Sequence, residues 1–394
     1  MKNASSGRIN GFDALRSIAM WLGVLLHSII AYKSRPEGGW PHDSESNLIF
    51  LDWVYDFIHS FRMPLFFLVA GFFARMVIMR SGGNYFIKQR VKRILVPFLT
   101  GIVVLVPLSM LPFHFYRYHY GQGMPTETAW QHSMEEIFKW NGVAHLWFLY
   151  YLMIFYVVSI CSLLLPGNWR RNFSKKVLPY LERISFLHLL LLCVLLFIIL
   201  LLQNAVVPPV YTGLKPQPFH FVYYGFFYFL GWVFQINMKS ILSLGTKGGL
   251  LTVAGIGFSL VFFLFSENLP IYLSFIIYAL QTISLIFGIT GLMMRYANSE
   301  NASWRYFSDS AYWVYLSHMG LVAFLQVVML NSSINVWMRL PVVLVVTFVF
   351  CMVTYHLLVR FTVIGVYLHG KREKKRLAHP LFFSKKIARA KKAN

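Results

Sequence analysis

The chain has 394 residues, 57% of them hydrophobic and only 13% charged, with a formal net charge of +22. A soluble domain of this length carries about a quarter charged residues, so composition excludes a soluble globular protein. The basic residues sit between apolar blocks and not on a readout surface, which argues against nucleic acid as a partner. The three cysteines, Cys161, Cys193 and Cys351, lie inside apolar blocks without CxxC spacing; they read as small core residues, not as a disulfide framework or zinc site.

In chain order, the apolar runs predict about ten membrane-spanning helices, near 12–32, 53–79, 94–112, 145–165, 186–207, 219–238, 248–266, 271–294, 308–330 and 339–368. The expected fold is therefore all-α, a polytopic integral membrane protein. The first run is too long for a cleavable signal and is interrupted by Arg16. An even number of spans puts both ends on one side. With a cytoplasmic N-terminus, 26 of the 36 Lys and Arg fall in cytoplasmic segments, notably 80–93, 168–176 and the tail. Six fall opposite (Lys33, Arg35, Arg117, Lys139, Lys215, Arg339), and Arg16, Arg62, Arg75 and Arg360 lie within spans. This asymmetry predicts that both termini are cytoplasmic. Residues 1–370 are expected to form a single transmembrane domain, and 371–394 a basic cytoplasmic tail lying against anionic lipid. On the opposite side, segment 113–144 contains TETAWQHSMEEIFKW, which predicts an amphipathic helix on the membrane surface. Pro97, Pro107 and Pro112 are expected to kink or end the third span.

The first span, FDALRSIAMWLGVLLHSII, carries Arg16 and His27. Eleven residues leave only about 20° of rotation, so both share one helix face, roughly 16 Å apart along the axis. Arg16 can snorkel to the headgroups, with Asp13 one turn before it as a partner. His27 lies too deep to snorkel and needs a protein partner or a polar cavity. The second span runs oppositely and carries Asp52, Asp56, His59 and Arg62 on neighbouring turns. A carboxylate at that spacing can hold a histidine tautomer; an Asp56–Arg62 ion pair is the structural alternative. His59 and Arg62 arrive at the depth of His27, which predicts a hydrated pocket between the two helices. His145 is placed at the outer edge of the fourth span, and Tyr315 and His318 near mid-membrane in the ninth. His114, His119 and His132 are expected to be solvated, and His356 to be core. No tight ligand pair such as HExxH occurs, so no metal site is expected.

Taken together, FDALRSIAMWLGVLLH, HSFRMPLFFLVAGFF (59–73), RVKRILVPFL (90–99), HLWFLYYL (145–152) and SAYWVYLSHMGLV (310–322) resemble the membrane-bound acyltransferase 3 family, in its order and over most of the chain. DFIHSFRMPLFF is similar to the branch containing glucan biosynthesis protein C. The resemblance implies about ten spans, an acyl-CoA donor from the cytoplasm with no permanently bound cofactor, and a sugar acceptor outside. The branch implies succinyl transfer to periplasmic glucans in the bacterial inner membrane. It makes His27 the catalytic histidine and Arg16 its signature partner, with Arg90 and Arg93 as a cytoplasmic Arg-x-x-Arg. Where the branch can carry two adjacent histidines, this chain has only His318.

A mechanism fits these positions. Arg16, with Arg90, Lys92 and Arg93 at the cytoplasmic rim, can hold the phosphates of coenzyme A. His27 can take the acceptor's proton or accept the acyl group first. Arg62, Tyr315 or His318 can stabilise the thioester oxyanion. Asp56, His59, His145, Trp147 and Tyr315 are candidate substrate contacts, and Trp40, Trp130, Trp140 and Trp147 candidates to stack on sugar rings or anchor at the interface. The competing readings are an acetyltransferase acting on another surface polysaccharide and a glycan transporter.

Overall fold

The structure is a computed structural model and describes residues 9–181, 184–330 and 332–368; the basic tail lies outside the described residues. Eleven helices define the architecture: α1 Asn10–Tyr32, α2 Ile49–Ser81, α3 Gly83–Gly121, α4 Thr126–Glu136, α5 Ala144–Leu164, α6 Phe186–Gln203, α7 Pro218–Phe234, α8 Gly248–Phe265, α9 Ile271–Tyr296, α10 Ala302–Met329 and α11 Val336–Val359. Among the described residues nine of these, all but α4 and α7, are long and apolar enough to cross a membrane. The sixth expected span is α7, which has only 17 residues, about 26 Å of helix against a hydrocarbon core of about 30 Å. The fold is thus all-α and multi-span.

The start of α1 and the residue after α11 both lie beside the α9–α10 connection and the first turns of α10, at the end of the bundle called here the near end. Asn10 Nδ2 donates to the Asn298 carbonyl at 3.1 Å, and the Arg360 guanidinium lies 4.9 Å from the Tyr306 ring centre. Helix starts are fixed by side-chain caps. Asn301 Oδ1 accepts from Ser303 N–H at 2.8 Å to open α10, and Asn335 Oδ1 from Trp337 N–H at 2.9 Å to open α11. Ser185 and His188 form a reciprocal capping box at the start of α6, so His188 has a structural task.

The prolines of the third span neither end it nor break it. Helix α3 runs on through Pro97, Pro107 and Pro112, with π-helical turns at Val91–Leu95, Gly101–Leu105 and Arg117–Gly121. Two of these wider turns directly precede Pro97 and Pro107, where the ring removes an amide donor and crowds the preceding turn. The amphipathic segment forms α4, with Ala129 and Ser133 buried and Trp130 exposed. His114 is buried at the far end of α3 and its Nε2 lies 2.7 Å from Asn141 Oδ1, contrary to the solvated position expected of it. His356 is exposed on a π turn, not in the core.

Glycines set the closest helix crossing. A Cβ on Gly231 of α7 would lie 1.8 Å from the Leu68 carbonyl oxygen, and one on Gly71 of α2 would lie 1.8 Å from the Tyr228 carbonyl oxygen. Helix association in lipid depends on such close backbone approach. Gly231→Ala is therefore expected to destabilise the protein by about 1–3 kcal/mol, seen as a lower melting temperature in detergent. Gly257→Ala, inside α8 where a Cβ would meet nothing within 4 Å, is the control and should leave the melting temperature unlowered, since alanine favours the helix.

Candidate active site

The loop between α1 and α2 folds back over the far end of the bundle. Lys33 pairs with Glu37 at 2.6 Å, Arg35 with Asp56 at 3.1 Å, and Asp43 forms a buried ion pair with Arg339 of α11. Asp52 accepts the backbone N–H groups of Ser34 and Arg35 at 2.8 and 3.0 Å. These charges hold the loop, and their geometry corrects two expectations. Asp56 neither orients His59 nor pairs with Arg62. His59 Nε2 instead faces the Pro208 carbonyl oxygen at 3.3 Å.

Beneath the loop lies a cavity of about 970 Å³ bounded by α1, α2, α3, α5 and α10. Its near end is lined by Arg16, Gln89, Arg90, Arg93 and Tyr156, its middle by His27, Arg62, His145, Tyr315 and His318, and its far end by Glu37, Trp40, Asp56, Asn141 and Pro208. Arg16, His27, Asp56, His59, Arg62, Arg90, Arg93, His145, Trp147, Tyr315 and His318 all line the cavity, whereas Lys92, expected beside Arg90 and Arg93, is exposed outside it. Trp130 and Trp140 do not line it either; they are exposed elsewhere on the surface.

At the near end, Arg16 forms an ion pair with Asp13, whose Oδ1 also accepts from Ser308 Oγ at 3.2 Å. The guanidinium of Arg16 lies 5.3 Å from the Phe73 ring centre. Arg90 lies over two rings, Phe86 at 4.8 Å and Tyr156 at 4.6 Å. Such stacking holds a guanidinium in place while its N–H fork still faces the cavity.

The middle is an imidazole cluster. His27 and His318 have ring centres 5.2 Å apart, and His145 and His318 6.2 Å. His318 Nδ1 is 2.7 Å from the Val314 carbonyl oxygen and 3.0 Å from that of Tyr315. Carbonyls only accept, so Nδ1 carries the proton and the buried Nε2, which has no partner, is the acceptor of the neutral ring. His145, expected at the rim, is buried beside this pair with Nε2 3.3 Å from the Leu316 carbonyl oxygen. Tyr315 donates its hydroxyl to the His145 carbonyl at 2.6 Å. Arg62 reaches across from α2 onto Gly23, one turn before His27; a Cβ there would lie 2.0 Å from Arg62 Nη1. Glycine at this position is what lets the guanidinium rest against α1.

The far end contains what the sequence did not announce. Trp40 stacks on His27, with ring centres 5.2 Å apart and planes within 12°. Its indole N–H donates to Gln326 Oε1 at 2.8 Å, and Gln326 Nε2 donates to the carbonyls of His27 at 2.9 Å and Ser28 at 3.0 Å. Gln326 is fully buried in α10, and its one amide ties loop, catalytic-candidate helix and α10 together. Its only sequence signal is a lone amide in an apolar helix. The segment before α7 also contributes: Pro209 and Thr212 carbonyls meet His220 Nε2 at 2.7 Å and the Val143 N–H at 2.8 Å, laying Pro208–Val210 along the cavity.

The arrangement offers anion-binding groups at one end, a base and a guanidinium in the middle, and a polar, aromatic-lined mouth at the other. The sequence matches known proteins. Residues 9–356 fit the acyltransferase domain profile of the acyltransferase 3 family. The glucans biosynthesis protein C of Salmonella typhi, of Salmonella typhimurium (strain LT2) and of Salmonella paratyphi B are each 26% identical over 341 residues, covering 82% of this chain and 85% of theirs. No solved structure matches. On a profile that spans nearly the whole helical bundle, this chain belongs to the acyltransferase 3 family, and it is a multi-pass membrane acyltransferase.

Proposed function

We propose that this acyltransferase moves an acyl group, succinyl by the resemblance to the glucan branch, from cytoplasmic acyl-CoA to a hydroxyl of a periplasmic glucan across the bacterial inner membrane. The near end is then cytoplasmic, as the distribution of Lys and Arg favours. One observation carries the reading: Arg16, Arg90 and Arg93 line the same cavity as His27, which in turn shares it with Trp40 and Asp56 at the opposite end. Donor and acceptor can therefore approach one reaction centre from opposite faces.

Arg16, Arg90 and Arg93 bind the phosphates of coenzyme A, and the pantetheine arm follows α1 for roughly 16 Å to His27. His27 takes the proton of the acceptor hydroxyl as its oxygen attacks the thioester carbonyl. The tetrahedral intermediate collapses with cleavage of the C–S bond, and the leaving thiolate recovers the proton from the imidazolium. Products are the glucan ester and free coenzyme A on its original side. Trp40 stacks on the imidazole and Gln326 positions both. Tyr315 Oη is committed to a carbonyl and neutral His318 presents an acceptor, so neither is placed to donate to an oxyanion; His318 Nε2 is instead available to accept a proton. Trp147, His59, Asp56 and His145 shape the acceptor channel.

His27→Ala is expected to insert normally and lose acyl transfer by about 10²–10⁴-fold, measured by mass spectrometry of glucan made by the purified protein. Unchanged transfer removes the imidazole from the reaction. Gln326→Leu deletes the amide bridge at nearly constant volume. It should lower kcat roughly tenfold with KM for acyl-CoA unchanged, since donor binding lies at the other end; steady-state kinetics with wild-type kcat would refute its positioning role.

A further inference from the structure

Arg62 is an unmatched charge in the middle of the cavity. Two carboxylates line the cavity, Glu37 and Asp56, and both are committed elsewhere, to Lys33 at 2.6 Å and Arg35 at 3.1 Å. No carboxylate among the described residues lies within ion-pair distance of Arg62, and its Nε is buried without a partner. The ionisable groups around it are the phenols Tyr55, Tyr224 and Tyr315 and the imidazoles His27, His59 and His318, none of them an anion at neutral pH. A guanidinium at membrane depth with no protein counter-ion is costly and marks a place for an anionic ligand. The arginines that would hold the coenzyme A phosphates lie at the near end, with Arg16 roughly 10 Å along α1 from the Gly23 seat of Arg62.

We infer that Arg62 binds a carboxylate carried by the acyl group itself, so that the enzyme selects a short dicarboxylic acyl thioester over a neutral one. The inference rests on the donor and acceptor assignment above and adds to it the residue that reads the acyl chain. Geometry supports it: Arg62 lies on Gly23, one helical turn from His27, so an acyl carbonyl held at the imidazole places the far end of a four-carbon chain beside the guanidinium. The planar fork matches a carboxylate in two parallel hydrogen bonds. A neutral acyl group would leave the charge unpaired, which is how a site rejects a ligand lacking the group it was built to bind.

The test uses purified full-length protein in nanodiscs, a neutral linear β-glucan oligosaccharide as acceptor, and succinyl-CoA or acetyl-CoA as donor, with products counted by mass spectrometry. The neutral acceptor keeps any acceptor charge from contributing. Wild type should prefer succinyl-CoA, and Arg62→Gln should lower kcat/KM for succinyl-CoA by at least about 30-fold while changing that for acetyl-CoA less than about threefold. Arg62→Lys, which keeps the charge, should recover part of the succinyl activity. Equal loss with both donors would make Arg62 an oxyanion donor or a structural residue and overturn the inference. So would a wild-type preference for acetyl-CoA, or an Arg62→Gln variant of unchanged preference. Absence of transfer by wild type with either donor would instead count against the function proposed above.

Discussion

The constraint on which this structure depends is that polar groups at membrane depth must find partners within the protein or face a cavity. Helices α1 and α2 carry Arg16, His27, His59 and Arg62 into the apolar layer, and the bundle is arranged so that each lines one shared space. The glycine contacts serve the same end. Gly231 and Gly71 bring α7 and α2 together, and Gly23 opens a seat on α1 into which Arg62 fits. Replacing these by larger residues would separate the helices whose polar faces define the cavity.

A second level of organisation lies at the far end. The buried ion pair of Asp43 with Arg339, and the pair of buried Lys33 with the more exposed Glu37, hold the loop after α1 against the bundle. That loop delivers Trp40 to the face of His27, and Gln326 locks both from α10. A rigid second layer of this kind is what fixes a general base within the tolerance that catalysis needs. The cationic near end and the aromatic far end are thus two different recognition surfaces joined through one imidazole cluster.

Much of the fold was legible because lipid imposes a simple rule: long apolar runs become helices, and their order follows the chain. The short helix α7 ends a few residues before the expected span, and α3 runs past the prolines expected to kink or end it because π turns, which accommodate them, have no clear sequence signature. Arg16 and His27 were legible through helical periodicity alone, and Arg62 and His59 through the opposed direction of the second span. Gln326 was not, since its partners are about three hundred residues away and a single amide in an apolar helix has no periodic context. The expected link between Asp56 and His59 fails for a related reason: spacing along a helix suggests which groups are neighbours, but the loop after α1 brings Arg35 to the carboxylate and the segment before α7 brings Pro208 to the imidazole.

If one cavity lets donor and acceptor meet from opposite sides of the membrane, the protein in proteoliposomes of a single orientation, given succinyl-CoA at the near-end face and glucan at the far-end face, yields acylated glucan on the far side and free coenzyme A retained on the donor side. Acylation that occurs only when donor and acceptor share one compartment would contradict such a two-sided meeting.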